Sequence, residues 1–155
     1  MKKIYIPYLN PLNKLETVLE IMHEVLDADD EIEYEELEVS DERKEGYLPP
    51  MKGVDGILFG ATNVLGDLMN PMWDMVKELE NEQYKNTPEI VCGAFGIYDF
   101  FGEGVSFMMN RMKTLRVQAV GKGVCVQWNP NEKDKAKLRA YFEEYVAAVK
   151  ARPEV

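Results

Sequence analysis

The sequence is poor in the residues that build metal and acid–base centres: 155 residues contain one histidine and two cysteines. Cys92 and Cys125 do not form a CxxC pair, and no His/Cys/Asp cluster has metal-ligand spacing. Both cysteines sit in apolar, strand-like runs and read as reduced core residues of a cytosolic protein. His23 falls off the apolar stripe of its segment and reads as a surface residue, not a catalytic base. Walker loops, dinucleotide glycine fingerprints and Gly-x-Ser-x-Gly elbows are missing, which removes the commonest nucleotide and hydrolase signatures. No apolar run approaches the roughly 20 residues that cross a bilayer. Met1-Lys2-Lys3 runs straight into Ile4-Tyr5-Ile6, too short for the apolar centre of a signal peptide, so a cytoplasmic location is expected. Cations are scarce as well: 18 Lys and Arg face 28 Asp and Glu, for a net charge of −10. Such a chain repels nucleic acid and anionic membranes, and neither is expected as a partner. Between Glu24 and Glu45 there are twelve carboxylates and two cations. That run is either a solvated edge or a docking surface for a basic protein.

What is present is regular alternation. Lys3 to Tyr8 is a short apolar strand, and Leu15, Val18, Leu19, Met22, Val25 and Leu26 follow it at helical spacing. Glu31 to Val39 sets Ile32, Tyr34, Leu37 and Val39 among glutamates, as an exposed edge strand does. Val54 to Gly60 and Glu89 to Ala94 are almost wholly apolar, as expected of strands covered on both faces; Gly96 is taken as the exit from the second. Met72, Met75, Val76 and Leu79 predict a second helix. Val105, Met108, Met109, Met112 and Leu115 predict a third. Of Met69, Met72, Met75, Met108, Met109 and Met112, helical spacing makes most core, with a few free to line an adaptable contact surface. Val124 to Trp128 is the last strand, entered through Gly121 and Gly123, and Leu138, Tyr141, Phe142, Tyr145 and Val149 mark the final helix. The alternation predicts one domain over residues 1–155, an α/β fold with a doubly wound, five-stranded parallel sheet. Asn10-Pro11, Asn70-Pro71 and Asn129-Pro130 each fit an N-cap followed by proline in the first helical position, and Asn129 has Glu132 three residues on.

In such a sheet, ligands bind beyond the carboxyl ends of the strands, near the point where strand order reverses. Three loops meet there: Leu9 to Asn13, Ala61 to Leu68, and Phe95 to Gly104. The second reads Gly60-Ala61-Thr62-Asn63-Val64-Leu65-Gly66-Asp67-Leu68, and the third Gly93-Ala94-Phe95-Gly96-Ile97-Tyr98-Asp99-Phe100-Phe101-Gly102-Glu103-Gly104. These loops, with the tail Val126-Gln127-Trp128-Asn129-Pro130, resemble those of short-chain flavodoxins and of the flavodoxin domain of flavo-diiron proteins. The resemblance covers nearly the whole chain. It implies a flavodoxin-like three-layer sandwich of strand order 2-1-3-4-5 and non-covalent FMN as cofactor.

A flat isoalloxazine ring is held by aromatic faces and by backbone groups along its polar edge. Tyr98, Phe100 and Phe101 would stack on it, while Asn63, Gly66 and Gly96 permit close backbone approach. The alternative is that the aromatics merely cover the sheet end and the glycines make turns. By the resemblance, Thr62, Val64, Leu65, Phe95, Asp99 and Gly102 complete the cradle. The first loop departs from the family: flavodoxins grip the phosphate with Thr-x-Thr-Gly-x-Thr. This chain offers Leu9-Asn10-Pro11-Leu12-Asn13-Lys14-Leu15, without a hydroxyl. If Asn10 caps the first helix, an extra turn fills the phosphate cavity. If Asn13 caps it, with Glu16 as partner, the loop stays open for Asn10, Asn13 and Lys14.

The resemblance implies a carrier, monomeric or a weak dimer, that passes single electrons between redox proteins basic at their docking surface. Carboxylates such as Asp67 and Asp99 near the ring would disfavour its reduced anionic form and lower its potential. Two other readings stay open: a binding module that keeps the fold but holds another planar ligand or a protein, and a flavin-dependent reductase.

Overall fold

The computed structural model describes residues 1–10, 13–39, 53–62, 73–80, 89–98, 104–115 and 117–153. Its elements run β1 (Lys2–Leu9), α1 (Glu16–Asp27), β2 (Ile32–Glu38), β3 (Gly56–Thr62), α2 (residues 73–80), β4 (Ile90–Tyr98), α3 (Gly104–Met112), β5 (Val117–Ala119), β6 (Val124–Gln127) and α4 (Glu132–Ala151). All strand pairs are parallel, and the sheet order is β2-β1-β3-β4-β5, with β6 also on β4.

The two-residue period of the strands divides their side chains between two cores. Ile4, Ile6, Leu58, Val91, Phe95 and Ile97 face α1 and α4. Tyr5, Ile57, Phe59, Ala61, Cys92 and Ala94 face α2 and α3. Strands β3 and β4 are covered on both sides, which is why their sequences are nearly unbroken apolar runs. The outermost strand, β2, buries Ile32, half-buries Tyr34 and Leu37, and turns Glu33, Glu35 and Glu38 to water. The apolar stripe expected for the first helix is buried throughout, joined by Ile21. His23 lies half-exposed on the flank of α1 that meets β2, in a short hydrogen bond with Glu36 and stacked on Tyr34.

Three details differ from the sequence expectations. The fourth strand does not leave the sheet at Gly96; it continues to Tyr98, with Gly96 between Ala61 and Cys125 in the ladders. The fifth lane is interrupted: β5 pairs with Ile90–Cys92 and β6 with Phe95–Tyr98, and Gly121 and Gly123 turn the chain between them. Gly123 is needed there, because a Cβ would lie 2.6 Å from Val105 and 2.8 Å from the Ala94 carbonyl, at a φ of 76°. Finally, α4 is capped by Asn131, not Asn129. The Asn131 side chain accepts from the Asp134 amide, and Asp134 accepts from the Asn131 amide, so Asp134 closes the capping box. The expected cap at Asn70 lies outside the described residues.

Candidate functional site

The chain order reverses between β1 and β3: β2 lies outside β1 on one side, and β3, β4 and the β5/β6 lane extend from the other. Such a switch point leaves a crevice at the carboxyl ends of the two central strands. Asn10 follows β1 there and Thr62 ends β3, one step beyond the Leu9–Ala61 pairing. Tyr98 ends β4 opposite Gln127, and Trp128 follows β6, its amide donating to the Tyr98 carbonyl at 2.8 Å.

The chemistry of this edge is mixed. Thr62 is only 4% exposed, and its hydroxyl has no hydrogen-bond partner among the described residues. A buried orphan hydroxyl is costly, and a ligand group at the crevice would satisfy it. Trp128 is 50% exposed and Tyr98 partly so, which offers two aromatic rings at the rim. The Lys14 ammonium lies 5.0 Å from the centre of the Trp128 indole, a cation–π distance. These features fit the flat, polar-edged part of a flavin.

The end where a phosphate would sit is built differently. Helix α1 begins at Glu16, and Leu15, its capping residue, provides no side-chain cap. Asn10, 5% exposed, serves the helix from outside: its Oδ1 accepts from the Leu15 amide at 3.1 Å and its Nδ2 donates to Glu16 Oε1 at 3.1 Å. The Asn13 amide donates to the Asn10 carbonyl at 3.3 Å, and Asn13 takes a φ of 55°. Counting the family motif from Asn10 puts its glycine at Asn13, and asparagine is among the residues that tolerate this left-handed geometry. The start of α1 thus matches neither expected arrangement in full. Asn10 caps the helix without opening it, and Asn13 turns the chain without capping. Both cap expectations overlooked a side chain reaching the helix from outside it.

Electrostatically this corner is negative. Burial raises the Tyr8 hydroxyl above the usual tyrosine range, and Glu38, Glu36 and Glu16 raise it further. Cys92 is fully buried, and burial pushes its thiol up, so it is no ready nucleophile. Among the described residues no group of three His, Cys, Asp or Glu is placed to hold a metal, and no helix is long and apolar enough to cross a membrane.

Of the sequence candidates, Asn10, Asn13, Lys14, Thr62 and Tyr98 are brought to this edge. Phe95 is not: it is fully buried, its ring edge-on to Phe142 at 5.4 Å, because β4 continues past it. Gly96 lies inside the same ladders. Asn63, Val64, Leu65, Gly66, Asp99, Phe100, Phe101 and Gly102 lie outside the described residues, as does Asp67. Trp128 and Tyr8 were not among the candidates. Their signal was available, since each is an aromatic at the carboxyl end of a strand.

A doubly wound parallel sheet whose strand order reverses between β1 and β3 is the architecture in which open α/β proteins bind ligands at the carboxyl edge. No protein-family model matches the chain. A stretch of 95 residues, 61% of the chain, is 24% identical to flavo-diiron protein FprA2 of Clostridium acetobutylicum. The chain spans about a quarter of that relative, 23% of its length. Among solved structures, oxidised Flavodoxin 1 from Bacillus cereus superposes with a TM-score of 0.74 at 18% identity, over 94% of this chain and 98% of the flavodoxin. Rubredoxin oxygen:oxidoreductase from Desulfovibrio gigas gives 0.75 at 15% identity, over 97% of this chain and 37% of that one. The fold is flavodoxin-like, and the relatives are those the loop sequences resemble.

Proposed function

We propose that this chain is a flavin-binding electron carrier of the flavodoxin type, holding its cofactor non-covalently at the carboxyl edge of β1, β3, β4 and β6. The observation that carries the reading is the buried Thr62 hydroxyl, without a hydrogen-bond partner among the described residues, at the same carboxyl edge as the partly exposed ring of Tyr98 and the exposed ring of Trp128. Similarity to stand-alone flavodoxins over almost their full length supports it, as does similarity to a flavo-diiron protein. FMN is the ligand the family resemblance brings. A bound flavin would supply the one-electron chemistry. The residues of this chain would orient it: Thr62 by a hydrogen bond, Tyr98 and Trp128 by their ring faces, and Lys14 by holding the Trp128 ring in place.

The acidic surface suits a carrier that meets basic redox partners. Glu33, Glu35 and Glu38 stand along β2, and attraction of that kind speeds encounter and weakens with salt. Visible absorption of the purified protein, followed by titration with FMN, tests the reading. Flavin bands shifted from those of free FMN, or saturable quenching of flavin fluorescence, are expected. A colourless protein that leaves the fluorescence of both FMN and riboflavin unchanged at large excess would refute it.

A further inference from the structure

We infer that this site selects its flavin at the unphosphorylated level, taking riboflavin at least as well as FMN. The inference rests on the flavin-binding reading above and concerns the ribityl end of the ligand. A helix N-terminus holds a phosphate with free backbone amides, reinforced by neighbouring hydroxyls. Here the Leu15 amide is already taken: it donates 3.1 Å to Asn10 Oδ1, inside the protein. The rest of the Asn10 amide is committed too, since Nδ2 donates 3.1 Å to Glu16. A neutral side chain therefore already holds the capping amide of α1, one of the donors a phosphate at this helix start would use. Leu15 itself, at the position of the last hydroxyl of the family motif, is fully buried in the core below.

The field points the same way. Glu16 in the first turn of α1 and Glu36 and Glu38 on β2 all bear on Tyr8 at the end of β1. A phosphate monoester near pH 7 carries about −1.5 to −2 charges. Placed at the start of α1 it meets the Glu16 carboxylate, while the nearby Lys14 ammonium is drawn to the Trp128 ring. An uncharged ribityl chain has no such penalty. Its hydroxyls hydrogen-bond to a carboxylate or to a neutral carboxamide alike, so they do not depend on the charge of Glu16. Thr62 lies on the neighbouring strand end, close enough in the fold to serve either ligand.

The test is paired calorimetric titration of the full chain with riboflavin and with FMN, in the same low-salt buffer, repeated on Glu16→Gln. Glu16 is exposed, so that variant spares the core. The expected result is a riboflavin Kd equal to or below that of FMN. In Glu16→Gln, FMN binding should tighten at least threefold while riboflavin stays within twofold. FMN binding more than threefold tighter than riboflavin to the unaltered chain would overturn this proposal and leave the flavin reading standing. An equal response of both ligands to Glu16→Gln would overturn the charge argument. Binding of neither ligand would refute the flavin reading itself, and this proposal with it.

Discussion

Replacing Gly93 by alanine asks how tightly α4 is seated on the sheet that positions the site. A Cβ on Gly93 would lie 2.7 Å from Tyr145 Cδ2 and 3.0 Å from the Tyr141 hydroxyl. Neither ring is free to retreat. The Tyr145 hydroxyl donates to the Val91 carbonyl at 3.1 Å, and Tyr145 is fully buried. The Tyr141 hydroxyl donates to Val120 at 2.9 Å and accepts from the Ala94 amide at 3.2 Å. Relief therefore means lifting α4 or breaking buried hydrogen bonds worth about 1 kcal/mol each. Overpacking of a well-filled core costs about 1–3 kcal/mol, and two anchored rings place Gly93→Ala near the top of that range, about 3 kcal/mol. In a chain of this length that corresponds to a fall in Tm of about 6–12 °C. Urea and thermal melts followed by circular dichroism measure it. A variant within about 0.5 kcal/mol of the parent would refute the claim that these tyrosines fix the spacing of α4 over β4.

Arg152 and Asp55 form a largely buried ion pair of 2.7 Å that ties the end of α4 to the start of β3, and Asp55 also accepts from the Lys3 amide. Arg152→Met strands the carboxylate and is expected to lower stability by about 3 kcal/mol in urea unfolding, since removing one partner of a buried pair is costly. Asn131→Ala removes the capping box of α4 and should cost about 1 kcal/mol by the same assay. Burial holds the Tyr141 and Tyr145 hydroxyls above their usual range. Below about pH 10 the folded and unfolded chains both keep these protons, and stability is full. Above it the unfolded chain loses them first, so the urea midpoint should fall steadily as pH rises, in step with delayed phenolate absorbance in the folded protein.

The fold was legible because its signals are local and repeated. Helix stripes such as Val18, Leu19, Met22, Val25 and Leu26, and two-sided apolar runs such as Ile57 to Phe59, need only the two structural periods to be read. What escaped was set by tertiary contact. Gly96 looks like an exit, yet β3 and β6 hold β4 in the ladder beyond it, and Phe95 consequently turns inward to Phe142. The three residues of β5 are too few to show a period, and only their pairing with β4 reveals them. Asn129 and Asn131 both satisfy local capping rules, and the reciprocal bonds with Asp134 decide between them. At the site, the departure from the phosphate motif was plain in the sequence, but its consequence was not. The bonds of Asn10 to Leu15 and Glu16, and the placing of Lys14 over Trp128, depend on a chain path that the residues alone do not dictate.

A flavin seated against the rim formed by Tyr98 and Trp128 would quench the neighbouring indole, which can be read optically. The chain contains two tryptophans, Trp73 and Trp128. Trp73 packs against the core between α2 and α3, and Trp73→Phe leaves Trp128 as the single indole reporter. Riboflavin titrated into this variant should quench Trp128 emission saturably, in parallel with quenching of its own fluorescence. Trp128 emission that stays constant, after correction for absorbed light, while flavin is added to large excess would contradict the account.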